Sequence, residues 1–154
     1  MSKITPYLWF DNQAEEAAAF YVSLFDNSSV NDVQRYREAG PGPEGTAMVV
    51  NFDLDGREFI ALNGGPQFKF NESFSLYVSC RDQAEVDELW ARLTADGGEP
   101  GQCGWLKDRY GLSWQIIPTA LPELLSGPDT ERAGRVMQAM LKMQKIDVEA
   151  LENA

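Results

Sequence analysis

The sequence predicts an α+β protein made of two βαβββ modules followed by a helical tail. Three observations lead there. The stretch "YLWFDNQAEEAAAFYVSLF", beginning at Tyr7, returns in outline as "YVSCRDQAEVDELWARL", beginning at Tyr77, an offset of 70 residues. Each copy passes from a short strand-like run into an amphipathic helix and is followed by further strand-like runs. The last segment, "TALPELLSGPDTERAGRVMQAMLKMQKIDVEALENA", has helical periodicity instead.

Taken in order, the first helix is expected to be capped by Asn12, three residues before Glu15, and the second by Asp82, three before Glu85. This is capping-box spacing, in which cap and glutamate satisfy free backbone N–H groups reciprocally. Ala14, Ala17, Ala18, Tyr21 and Leu24 or Phe25 form one apolar stripe; Val86, Leu89, Trp90 and Leu93 form the other. Gly97 and Gly98 stop the second helix. In the first module, residues 29–37 read as a strand and 39–45 as a Gly/Pro loop. Residues 47–54 alternate, with Met48, Val50, Phe52 and Leu54 on one side. Asp55–Gly56 is a hairpin signal, and 57–63 is the partner strand. In the second module, short strands near 99–103 and 104–109 precede 113–118. In the tail, Asp129 is an N-cap candidate, and Ala133, Val136, Met137, Met140 and Leu141, extended by Met143, form a stripe. That stripe packs on its own sheet, or serves as a subunit contact or adaptable lid, since methionine fills irregular surfaces. Ile146, Val148 and Leu151 need partners, which a dimer contact could supply. The expected organisation is one domain over 1–154: module one about 3–63, a linker about 64–73, module two about 74–120 and the tail about 121–154.

The 154 residues suffice for one domain with a sizeable core. A net charge of −11 makes nucleic acid and anionic membrane surfaces poor partners. No secretory signal is read at the start, and no apolar run reaches membrane-spanning length. Cys80 and Cys103 form no CxxC pair, so a cytoplasmic location with reduced thiols is expected. There is no histidine, which removes the commonest transition-metal ligand and the commonest general base at neutral pH.

Four stretches, "ITPYLWFDNQAEEAAAFYVSLF", "ALNGGPQFKFNES", "CGWLKDRYGLSWQIIP" and "RVMQAMLKMQK", together with the duplicated modules, carry a family resemblance. The chain resembles the vicinal oxygen chelate superfamily (glyoxalase, bleomycin-resistance and dioxygenase proteins). Within it, the chain is most similar to the PhnB-like branch, also labelled 3-demethylubiquinone-9 3-methyltransferase-like. The resemblance runs from about Lys3 to Leu151. It implies mixed sheets curled around a cavity, and a homodimer. Catalytic relatives hold a divalent metal through four side chains on four strands. Those positions fall here near Thr5 or Pro6, at Ile60 or Ala61, near Ser73 or Ser75, and at Gln115. Only Gln115 retains a plausible donor, so no metal is expected. The methyltransferase label implies a methyl-donor cofactor, yet the strand-to-helix turns "FDNQ" and "CRDQ" contain no glycine, and no cofactor is expected.

The remaining candidates are ligand-binding ones. Trp114 and Ile116 suit the helix-packed face of their strand, which turns Gln115 toward the concave side. There its amide either orients a polar ligand or is satisfied internally. Trp9 and Trp105 could line an apolar cavity or pack in the core. Phe68 and Phe70 alternate with Gln67 and Lys69, facing the cavity or a dimer seam; Asn63 and Glu72 flank them. Gly64, Gly65 and Pro66 read as a turn. Cys103 lacks a histidine to activate it, and a structural thiol is favoured. The expected function is metal-independent binding of an apolar or aromatic small molecule. An enzyme of this fold, using Gln115, Glu72 or Cys103, and a non-catalytic interaction protein are the alternatives.

Overall fold

The computed structural model describes residues 2–154 and divides into two compact units, with the boundary between Lys69 and Phe70. The first unit contains β1 (Tyr7–Phe10), α1 (Ala14–Val22), β2 (Ser29–Arg35), β3 (Ala47–Leu54) and β4 (Arg57–Asn63). The second contains β5 (Ser75–Cys80), α2 (Gln83–Thr94), β6 (Glu99–Pro100), β7 (Trp105–Lys107) and β8 (Ser113–Pro118). The tail helices α3 (Ala120–Leu125), α4 (Thr130–Met140) and α5 (Val148–Glu152) complete it. Each unit forms a four-stranded mixed sheet with the same topology, β1-β4-β3-β2 and β5-β8-β7-β6. The first strand of each pairs in parallel with the last, and the other pairings are antiparallel. The predicted βαβββ repeat is therefore present twice. Among the described residues no helix is long and apolar enough to cross a membrane.

In the first unit, alternation places Phe52 and Phe59 side by side on the helix-facing side of the sheet, stacked at 5.5 Å. Ala14, Ala17 and Ala18 give α1 a small buried face, and Tyr21 packs its ring against Phe52 at 6.4 Å. The β3–β4 hairpin closes through Asp55 and Gly56, both at positive φ (49° and 79°), as a two-residue turn of primed type requires.

The start of α1 differs from expectation. Its N-cap is Gln13, which makes no side-chain cap hydrogen bond. Asn63, at the end of β4, supplies the acceptor instead: its Oδ1 receives the Ala14 N–H at 2.8 Å. Glu15 turns away to pair with Arg35. A donor at the helix start needs an acceptor, and here the neighbouring strand provides one before the local asparagine can. At α2 the Asp82 cap holds, with its carboxylate accepting from Glu85 N–H. The return bond from Glu85, however, accepts from Arg81 N–H rather than from the cap residue's own N–H.

In the second unit, Val86, Leu89 and Leu93 of α2 bury their side chains, as do Leu106, Trp114 and Ile116 on the β7–β8 pair. The tail builds a second core from Ile117, Leu121, Val136, Ile146 and Leu151. Asp129 caps α4 as expected, accepting from Arg132 N–H. The tail stripe is narrower than expected: Val136, Ala139, Met140 and Met143 pack inward, whereas Met137 and Leu141 are exposed. Met137 lies one residue past the buried Val136, about a quarter turn round the helix from it, and Leu141 follows the last helical residue, Met140. Of the three residues expected to need partners, Ile146 and Leu151 find them inside the unit, while Val148 is half-buried outside that core. Segment 143–148 is fastened by backbone bonds from Cys103 and Gly104 to Met143 and Gln144. Gln83 adds two more, donating to the Ile146 carbonyl and accepting from Val148 N–H.

Candidate functional site

Strand β8 has one face turned to the helix-packed core through Trp114 and Ile116. Its other face starts with Ser113 and Gln115. Cross-strand register extends that face into two rows. Ser75, Ser113, Lys107 and Glu99 lie across one; Tyr77, Gln115 and Trp105 lie across the other. Gln115 does face the open side, where its Nε2 donates to Ser75 Oγ at 3.1 Å. Beside it lies a cavity of about 420 Å³ whose lining includes Glu72, Glu99, Gln102, Trp105, Lys107 and Ser113, all within the second unit.

Charge in this cavity is organised by one ion pair, Lys107 Nζ with Glu72 Oε1. The Lys107 hydrogen bond holds the Glu72 carboxyl below the usual carboxylate range. The same bond, with the Glu72 charge and further help from Glu99, pushes Lys107 up. Both groups are solvent-facing. Ser113 is the opposite case: it is 1% exposed, and among the described residues its Oγ has no hydrogen-bond partner. Buried polar groups of native proteins are rarely left so.

Of the sequence-predicted candidates, Trp105 and Glu72 line this cavity, and Gln115 shares its sheet face. Cys103 does not line it. It sits half-buried at positive φ (59°) in the turn before β7, where its N–H holds the tail through Met143. Lys107 reaches Glu72. Trp9, Asn63 and Phe68 belong to the first unit. The Trp9 indole donates to the Gly65 carbonyl at 2.9 Å and meets Phe68 edge-on at 5.0 Å, though Phe68 is 65% exposed. Asn63 is engaged structurally: besides Ala14 it bonds the Ala47 carbonyl through Nδ2, and its own carbonyl accepts from the Tyr36 hydroxyl. Phe70, half-buried, begins the second unit. Gly64 does more than turn the chain, since a Cβ there would enter the Trp9 ring. Lys107, Glu99, Gln102 and Ser113 were missed. Counting in twos from Trp105 to Lys107, and back from Gln115 to Ser113, is the signal that would have found two of them.

The residues present do not fit a divalent metal. Ile60 and Ala61 offer no donor, and Ser75 already accepts from Gln115. Among the described residues no three His, Cys, Asp or Glu cluster to hold an ion. Nor do the strand-to-helix turns fit a glycine-rich cofactor loop. One first-turn N–H of each helix, that of Ala14 in α1 and that of Glu85 in α2, already has a side-chain acceptor, Asn63 and Asp82 respectively.

Comparison with known proteins agrees with the paired modules. The family model described as 3-demethylubiquinone-9 3-methyltransferase matches residues 2–117. The chain is similar to the PhnB protein of Bacillus cereus, whose description carries the same methyltransferase label. The two are 38% identical, the match covers 77% of this chain and all of that one, and the TM-score is 0.71. A Pseudomonas aeruginosa protein, 19% identical over 77% of this chain and 98% of its own, shares the fold at a TM-score of 0.62. An Arabidopsis thaliana gene product does so at 0.50, with 15% identity over 74% of this chain and 96% of its own. No curated protein matches. With most of its length matched by the family model and a fold of two βαβββ modules, the chain belongs to the PhnB-like 3-demethylubiquinone-9 3-methyltransferase family.

Proposed function

We propose that this protein binds a small, largely apolar molecule in the cavity of its second unit, without a metal. The carrying observation is the cavity itself. At about 420 Å³ it lies within the size range of small-molecule sites, with Trp105 as an aromatic wall and a small number of polar groups beside it.

Binding is favoured over catalysis by the state of the charged groups. A general acid or base works best with its pKa near the operating pH. Glu72 is held down and Lys107 is pushed up, so each moves away from neutrality. The thiol of Cys103 lies outside the cavity lining. Methyl transfer, the activity in the family's description, has no support from a nucleophile or a cofactor cradle among these residues.

The test is a fragment screen of the full chain by two-dimensional NMR. Binding should shift the backbone signals of Gln102, Trp105, Lys107 and Ser113 together, and Trp105→Ala should weaken the hits. If no fragment moves those signals at millimolar concentration, the reading fails.

A further inference from the structure

We infer that the ligand of this cavity carries a cationic amine on an apolar body, and that Ser113 and Glu99 receive the amine. The inference rests on the binding reading above and narrows it to a ligand class.

Two observations point the same way. The first is charge. The cavity lining holds two carboxylates, Glu72 and Glu99, against one ammonium, Lys107. Because Lys107 is already engaged by Glu72, an incoming carboxylate must compete with an internal one. Glu99 stands across from Lys107 in register and feels its charge, but the Lys107 ammonium is hydrogen-bonded to Glu72, so the lining keeps one carboxylate in excess for an incoming ammonium, within a chain whose net charge is −11. The second is the buried Ser113 hydroxyl. It lines the cavity and lacks a partner among the described residues. A serine Oγ has two acceptor sites, so an ammonium N–H can use it. Leaving it unmade costs free energy in the unliganded protein, and a ligand that completes it recovers that cost.

Trp105 joins the two. It lies in the cavity lining with Glu99 and Ser113, and an indole face attracts a cation while packing against an apolar body. Ser113 stands directly across from Lys107 in register, so a ligand at the hydroxyl also lies beside the Lys107–Glu72 pair.

The experiment uses three probes sharing one ring: 2-phenylethylamine, 2-phenylacetamide and phenylacetate, each titrated into the full chain and followed by backbone NMR shifts. The amine should bind about tenfold more tightly than the carboxylate, with the neutral amide between them, and all shifts should centre on Gln102, Trp105, Lys107 and Ser113. Glu99→Gln should weaken the amine several-fold and leave the amide within about twofold. Ser113→Ala should weaken amine and amide alike. Phenylacetate binding as tightly as the amine overturns the inference and leaves the binding reading standing. So does an amine affinity indifferent to Glu99→Gln. If these probes leave the cavity signals unmoved while other fragments shift them, the ligand class is wrong. If nothing shifts them, the binding reading falls as well.

Discussion

Ser113 stands buried with an unpartnered hydroxyl, and a residue in that position costs stability unless something else needs it. Ser113→Ala removes the orphan without opening a large cavity. It should raise stability by about 1 kcal/mol, read as a higher urea midpoint with an unchanged slope. A loss of similar size would mean that the hydroxyl has a partner. Asn63 makes the opposite case. Asn63→Ala removes the acceptor for Ala14 N–H and the donor to the Ala47 carbonyl, and should cost about 2 kcal/mol. Asn63→Asp keeps only the acceptor and should recover part of that loss. Cys80 adds a pH dependence. Burial first, and then the Glu85 and Asp82 carboxylates, push its thiol from 9.0 up to about 12. Below pH 9 the thiol is neutral in both states and its stabilising contribution is complete. Between 9 and about 12 the unfolded chain loses the proton first, so stability falls as pH rises. The wild type should lose stability relative to Cys80→Ala over that window; a pH-independent difference between them would contradict the assignment.

Among the elements, the tail has the clearest energetic role. Residues 143–148 are pinned by the turn before β7 and by both ends of the Gln83 amide, and Ile146 and Leu151 complete a core with Ile117, Leu121 and Val136. Burial of each aliphatic side chain is worth about 1.5–3 kcal/mol. Deleting residues 145–154 should therefore destabilise the protein by about 4 kcal/mol or more, measured by chemical denaturation. Gln83→Leu, which removes both bonds to the tail and one to Asp87 while keeping the apolar core, should cost about 1–2 kcal/mol. The tail lies beyond the stretch matched by the family model, which ends at residue 117, yet it covers Ile117 on the last strand of the shared fold.

For the molecule as a whole, the open sheet faces carry aromatic surface at equivalent repeat positions. Tyr7 is 55% exposed and Tyr77 53%, with Phe68 and Phe74 also exposed. Exposed aromatic side chains of this kind offer each unit apolar area for association. We propose that the chain forms a homodimer that buries part of this surface. Light scattering should give twice the chain mass at micromolar concentration. A monomer mass that does not change with concentration would reject the proposal.

Part of this fold is encoded by residues that are neighbours along the chain. The offset repeat disclosed both modules. The alternation of Val50, Phe52 and Leu54, the Asp55–Gly56 turn and the Asp82 and Asp129 caps each rest on spacings of two to four residues, and each appears in the structure; the alternation breaks before them, where a register shift buries Ala47 and not Met48. The facing of Gln115 followed from strand alternation in the same way. Tertiary structure decided the rest. Asn63 replaces Asn12 as the acceptor at α1 from 49 residues away along the chain. Glu72 meets Lys107 because the loop before β5 reaches across to β7. Val136, Ile146 and Leu151 of the tail turn inward to Ile117. Ser113 looks like an ordinary polar strand residue until the register sets it beneath the surface opposite Lys107. Local patterns follow from backbone geometry, which every chain shares. Partners distant in sequence follow from the register and closure of particular strands, and those are settled only when the whole unit packs.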